Sequence, residues 1–427
     1  MRFALLRAPL MAIDGAMLNT ATFPEYLRSL HLTGPVTTHA GVMVAGPPPR
    51  VAELGLRLGL GPAFLNTPQT RSILANLDLD PALMGVVAPR LRSLALWRTV
   101  WEDAAAPYLK AADKTQAEGD SAGAARAIRT ALTLLNLAYG GDGHYFHTPM
   151  VERRRILPVQ QRLHARLRAV TGDRVERLVV PHARGVTHGL LHLPSGAAGR
   201  VPAVLGIHQL SGNKDDFDVT LAPFRAAGLA TFCVDLPAHG ENFEGPRLQP
   251  DDEQAAWAAL QVLAGRPEVD PERLAVLGGS LGAFLALRTA ARAGGADGGA
   301  VRLRACVAYA SPFDIGYGIR FAVRGIRENF AWMVGARTPR ELLERAEPFH
   351  LRQGLDQITC PVLVVHGTQD HICDFTASYE VARRVRAPLA VHPLVGADHE
   401  VAMPYAPHLA APGIAWLQQH LAAAPPA

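Results

Sequence analysis

The run Leu274-Ala-Val-Leu-Gly-Gly-Ser-Leu-Gly282 constrains this chain more than any other stretch. An apolar, strand-like segment leads straight into Gly278-Gly279-Ser280-Leu281-Gly282, and Ala283 to Ala290 continues with a helix-forming pattern. Strand, G-x-S-x-G and helix in that order are the setting of a nucleophile elbow. The turn is so tight that a side chain two residues before or after the serine would collide with strand or helix, so glycine stands at both places. The serine itself takes a strained backbone that lifts its Oγ above the sheet. With 39 glycines and nine serines in 427 residues, about 0.07 such matches arise by chance. The motif therefore gains its weight from the residues downstream of it.

Val362-Leu-Val-Val-His-Gly-Thr-Gln-Asp370 reads as a buried strand ending in an acid. Leu389 to His399 reads as a strand and then a loop carrying a histidine. A serine hydroxyl is a poor nucleophile at neutral pH; it needs a base within hydrogen-bond reach, and the base needs an orienting acid. Ser280, Asp370 and His399 supply these groups in the chain order Ser, Asp, His. Asp314 is a rival acid after an earlier strand, but reads better as a helix cap. The oxyanion hole is expected from the backbone N–H of Leu281 and a second N–H in the loop Ile207 to Lys214. Leu210 is the favoured donor there, with Gln209 as the alternative.

Strand-like runs occupy Val175–Val180, Val186–Leu193, Val201–His208, Leu229–Asp235, Leu274–Gly278, Arg304–Ala310, Val362–His366 and Leu389–Leu394. Helical patterns separate the later ones, at Asp218–Ala227, Asp251–Ala264, Ser280–Ala293, Phe375–Arg386 and Ala411–Ala423. Alternation of this kind predicts an α/β fold: an eight-stranded, mostly parallel sheet with helices on both faces. Asp314 to Gln357 is expected as a small helical insertion near the site's mouth.

Upstream, residues 96–172 read as a mainly helical, cap-like domain. Ala125, Ile128, Ala131, Leu132 and Leu135 share one helical face, and Ile156, Val159, Leu163 and Leu167 another. Residues 1–95 form an extension without recognisable chemistry, and 173–427 the catalytic domain.

The charge balance is nearly even, 42 basic against 38 acidic residues, and only Lys110, Lys114 and Lys214 are lysines. No basic stripe interleaved with aromatics occurs, so a nucleic-acid partner is not expected. No run of 18 apolar residues occurs, so neither is a membrane partner. Cys233, Cys306, Cys360 and Cys373 are scattered without close metal-ligand spacing, and Cys233 and Cys306 read as small core residues, which suits a reducing, cytoplasmic location. His144 and His147 are spaced like a metal pair but lack acidic or cysteine company; no metal and no cofactor are expected. Tyr145, His147 and His239 are the candidate substrate-pocket groups, His239 at the rim. His188 and His192 read as structural. A homodimer is compatible with this composition.

Val234-Asp-Leu-Pro-Ala-His-Gly240, Gly278-Gly-Ser-Leu-Gly282, His366-Gly-Thr-Gln-Asp370 and Gly396-Ala-Asp-His399 together resemble the landmarks of the α/β-hydrolase superfamily, over roughly 173–420. A helical domain ahead of a complete hydrolase domain is similar to the 2,6-dihydroxypseudooxynicotine hydrolase group and the fungal polyketide-shortening hydrolases. That resemblance implies cleavage of carbon–carbon bonds in β-diketone-like substrates by a serine triad. Leu210-Ser-Gly-Asn-Lys214 resembles the group's loop after its third strand, although His208-Gln209 stands where paired glycines are usual. The expected activity is hydrolysis of an ester or a carbon–carbon bond beside a carbonyl in a small apolar substrate. Acyl transfer or cyclisation on the same machinery, and a non-catalytic binding module, are the alternatives.

Overall fold

Buried parallel strands need apolar side chains on both faces, and the runs at 201–207, 274–279, 303–309 and 362–367 are apolar almost without break. The computed structural model describes residues 11–13, 21–38, 49–65, 74, 79–139, 150–295, 301–322, 324–399 and 403–422. All eight expected strands are present: β2 Val175–His182, β3 Gly185–His192, β4 Val201–Ile207, β5 Ala230–Val234, β6 Val269–Gly279, β7 Leu303–Tyr309, β8 Val362–Gly367 and β9 Leu389–Leu394. A three-residue strand, β1 Met11–Ile13, adds a ninth at the edge. The order is β1-β9-β8-β7-β6-β4-β5-β3-β2. Strands β4 to β9 pair in parallel, while β1 runs antiparallel to β9 and β3 to β5.

Register aligns the carboxyl ends. Ile207 pairs with Gly278, Gly278 with Ala308, and Tyr309 with Val365. The loops after β4, β6, β7 and β8 therefore emerge along one edge, where ligands bind in open α/β sheets.

One sheet face is a continuous core. Val204, Ala275, Leu277, Val307, Leu363 and Val365 meet Phe217, Phe224, Trp416 and Leu417 from the helices Lys214–Thr220, Ala222–Ala226 and Pro407–His420. By alternation, the equally buried Leu205, Val276, Cys306 and Val364 point to the opposite face. There Leu281–Gly294 packs on β6 and β7, with Glu253–Ala264 beside it. Removing one of these fully buried leucines costs about 2–5 kcal/mol.

The chain groups into two compact units. One comprises 1–44, 176–322 and 333–427 and carries the sheet; the other comprises 45–175 and 323–332. This grouping divides the extension expected as one piece over 1–95. It also assigns part of the 314–357 insertion, most of the helix Arg324–Val334, to the second unit.

That second unit contains the helices Trp97–Ala117, Ser121–Tyr139 and Met150–Thr171. Gly119, at φ 78°, ends the first, and Asp120 Oδ1 accepts the Gly123 N–H at the start of the next. The expected face Ala125, Ile128, Ala131, Leu132, Leu135 is buried. On the third helix Val159 is only half-buried, and Gln160 takes the inward place. Its amide bonds Asn136, so the buried face reads 156, 160, 163, 167.

Candidate active site

Ser280 sits between β6 and the helix Leu281–Gly294 with φ 53° and ψ −119°. A non-glycine residue in this region stores about 1–3 kcal/mol of strain. The surrounding contacts explain why it persists. The Ser280 N–H donates to Tyr309 O at 2.8 Å, tying the elbow to the end of β7. A Cβ on Gly278 would stand 2.1 Å from Gly282 O, and one on Gly282 would stand 2.0 Å from Ile207 O. Both glycines of the motif are thus required by close backbone approach. Ala238 and Ala310 also take positive φ, 60° and 46°, in the loops after β5 and β7.

Ser280 Oγ lies 3.1 Å from His399 Nε2, and His399 Nδ1 lies 2.7 Å from Asp370 Oδ2. The structure thus brings together the three residues singled out in the sequence. Asp370 is fully buried, and its Oδ1 accepts the N–H groups of Ile372 at 2.9 Å and Cys373 at 2.8 Å. Burial alone would push this carboxyl up. The charge of His399 and the hydrogen bonds from His366 and His399 outweigh it and hold the acid well below the usual carboxylate range. An ionised Asp370 only accepts, so His399 donates through Nδ1–H and keeps Nε2 as the acceptor of the Ser280 proton.

The two loops that carry the acid and the histidine are clamped together. Asp398 accepts from the His371 ring and, at 2.7 Å, from the His399 N–H. A Cβ on Gly367 would meet Ala397 O at 2.5 Å. The Cys373 thiol hydrogen-bonds Ser280, and burial pushes its pKa far up, so it stays a neutral neighbour.

Leu281 opens its helix, so its N–H has no helical acceptor. Leu210 lies in the turn after β4, closed by Gly212 N–H to Gln209 O at 3.1 Å. His208, at the start of this loop, is fully buried. Its Nδ1 donates to Gln209 O at 2.7 Å, and its Nε2 accepts the Leu236 N–H at 3.0 Å. Burial lowers its pKa, which suits this neutral tautomer.

Asp314 accepts the Tyr317 N–H at 2.8 Å and pairs with Arg352. It caps a short helix, and it is not the residue bonded to His399. His239 is buried rather than at a rim; its ring stands 5.8 Å from that of His208. His188 bonds Asn242 and His192 bonds Asp218, as structural residues do. Tyr145 and His147 lie outside the described residues. Among the described residues no cluster of His, Cys, Asp and Glu could hold a metal, and no helix is long and apolar enough to cross a membrane.

Sequence reasoning missed Lys214. Its Nζ is buried among Asp215 at 2.9 Å, Asp235 at 3.0 Å and Glu241 at 2.7 Å. Burial would lower its pKa, but the three acids raise it, so the ammonium is fixed. Lys214 N–H also donates to Asp235 Oδ1 at 2.8 Å, so the loop carrying Leu210 is tied to the loop after β5. A lysine at the end of a loop, ahead of the helix expected from Asp218, gives no sequence signal of such burial.

Residues 202–337 match the family described as alpha/beta hydrolase fold. The match covers less than half of the chain, and with the sheet order it supports an α/β-hydrolase fold. The chain is 28% identical over 183 residues to 2,6-dihydropseudooxynicotine hydrolase of Paenarthrobacter nicotinovorans, covering 43% of this chain and 47% of that protein. It is 26% identical over 238 residues to Hydrolase LUC6 of Fusarium sp, covering 44% and 54%. The chain spans about half the length of the curated relatives it matches. Among solved structures, the 2,6-dihydroxy-pseudo-oxynicotine hydrolase superposes with a TM-score of 0.62 at 22% identity, over 76% of this chain and 88% of that one. AbyA5 superposes with a TM-score of 0.57 at 21% identity, over 87% and 94%. At such identities the structural likeness speaks for the fold alone.

Proposed function

We propose that this protein is a serine hydrolase of the α/β-hydrolase type that cleaves an ester, or a carbon–carbon bond beside a carbonyl, in a small and largely apolar substrate. The observation that carries the reading is the hydrogen-bonded series Ser280 Oγ, His399, Asp370 at 3.1 and 2.7 Å. In it, Ser280 Oγ attacks the substrate carbonyl as its proton passes to His399 Nε2. Asp370 holds the ring and stabilises the imidazolium. The N–H groups of Leu281 and Leu210 receive the oxyanion, each donor lowering the barrier by about 3 kcal/mol. His399 then returns the proton to the leaving group, an alkoxide in ester cleavage and an enolate in carbon–carbon cleavage. Water hydrolyses the acyl-enzyme by the same relay.

The test is labelling by a fluorophosphonate probe, followed by turnover of p-nitrophenyl esters and 1,3-diketones. Labelling that is absent from Ser280→Ala, with release of the free acid, supports the reading. No labelling of the folded protein would return it to a binding module, and transfer of the acyl group to an added alcohol in preference to water would make it an acyltransferase.

A further inference from the structure

Residues 21–38 lie across the loop that carries Asp370. The helix Phe23–Ser29 packs through Phe23 and Tyr26 on Tyr379, with ring centroids 5.4 and 5.3 Å apart. Tyr26 is fully buried, and its hydroxyl donates to Ser378 Oγ at 2.9 Å. Tyr26 also stands 6.2 Å from the ring of Phe375, which in turn packs edge-on against His366 at 5.6 Å. His366 Nε2 reaches Cys373 O at 2.7 Å and Asp370 Oδ2 at 3.4 Å.

Beyond the helix the chain runs along the loop itself. Gln369 donates its side-chain amide to Pro35 O. The Thr37 N–H donates to Thr368 O at 2.9 Å, and Thr37 Oγ1 accepts the Phe375 N–H at 3.1 Å. One residue therefore joins both ends of the segment 368–375. That segment supplies Asp370 and the two N–H groups, of Ile372 and Cys373, that aim its carboxylate.

We infer that Thr37 is a positioning residue for the acid, and that residues 21–38 act as a strap holding Asp370 in line with His399. The inference rests on the triad reading above. The physical cause is direct. The carboxylate is aimed by its own loop's amides, so its direction depends on the loop's curvature. Without Thr37 Oγ1 the Phe375 N–H loses its acceptor, and the loop must reshape to find another. Displacements of about 1 Å near a reacting group cost up to about a hundredfold in rate.

The experiment compares Thr37→Val, Thr37→Ser, Tyr379→Phe and Asp370→Asn in the full chain, using a p-nitrophenyl ester and the fluorophosphonate probe. Thr37→Val is expected to lower kcat about ten- to a hundredfold with KM within about twofold, and to slow phosphonylation of Ser280 by a similar factor. Thr37→Ser keeps the hydroxyl and is expected to retain most of the rate. Tyr379→Phe removes only the bond to Ala21 O at the far end of the strap, so it lowers the melting temperature without lowering kcat. If Thr37→Val does not fold, Gln369→Leu, which loses the bond to Pro35, is expected to show the same loss of kcat at constant KM. Unchanged kcat in Thr37→Val, or a loss no greater than in Tyr379→Phe, overturns the strap. A crippled Asp370→Asn beside a silent Thr37→Val overturns the strap alone, while a silent Asp370→Asn overturns the triad reading beneath it.

Discussion

His399 Nδ1 lies 2.7 Å from Oδ2 of Asp370, a carboxylate with no exposed surface. Its ionised state depends on the groups around it: two backbone N–H donors on Oδ1, and the rings of His399 and His366 beside Oδ2. Asp370→Asn keeps the shape and removes the charge. An asparagine can offer its amide to His399 and favour the wrong tautomer, which leaves Nε2 protonated and unable to take the Ser280 proton. We expect kcat to fall by about 10⁴. Asp314→Asn is expected to keep kcat within about twofold, because Asp314 serves Tyr317 and Arg352. The reverse pattern would move the acid to the loop after β7.

Ser280 carries opposite expectations for activity and stability. Ser280→Ala should lower kcat by about 10⁴ or more and abolish probe labelling. Ser280→Gly should be equally inactive yet melt higher than Ser280→Ala. Glycine relieves about 1–3 kcal/mol of strain at φ 53°. It gives back only about 0.4–1 kcal/mol through the freedom it adds to the unfolded chain. Equal melting temperatures for the two variants would mean that the elbow is not strained.

The elbow and both downstream loops were legible in the sequence because their requirements are local. Gly278 and Gly282 are dictated by contacts at 2.1 and 2.0 Å, and the apolar runs of β4 to β9 by burial on two faces. What escaped depends on partners far away in the chain. Tyr26 and Thr37 show no periodicity, and their roles arise from residues more than 330 positions away. Gln160 sits inward where Val159 fits the apolar pattern better, since a bond to Asn136 on the neighbouring helix offsets its desolvation. His239 reads as a turn residue near the pocket rim, and its burial, with its ring 5.8 Å from that of His208, depends on packing that a turn motif does not reveal.

Lys214 gives a third expectation. The side chain is almost fully buried and faces three acids. Lys214→Met would leave Asp215 and Asp235 buried without their cation. Breaking a buried pair in this way costs about 3–5 kcal/mol, far more than a surface bridge. Because Lys214 follows the loop of Leu210, kcat is expected to fall as well. Denaturant unfolding that shows no loss of stability would mean the acids are satisfied by other donors.

The same cluster contributes to the acid side of the stability profile. Burial alone would raise the Glu241 pKa, but hydrogen bonds from Arg177 and Lys214 and the charges of both bring it down to about 2. A carboxylate with a depressed folded-state pKa contributes stability above its unfolded value, near 4.3, and loses it as pH falls toward the folded value. The melting temperature should therefore decline between about pH 4.5 and pH 2. Glu241→Gln cannot titrate, so its melting temperature should be lower than the native one at neutral pH and vary less across that window. The two curves should converge as the native carboxyl becomes protonated. Asp370 is also depressed and remains in the variant, so a residual slope is expected there. Parallel curves for the native chain and Glu241→Gln would show that Glu241 titrates alike in the folded and unfolded states, and that its contacts with Lys214 and Arg177 contribute nothing to acid stability.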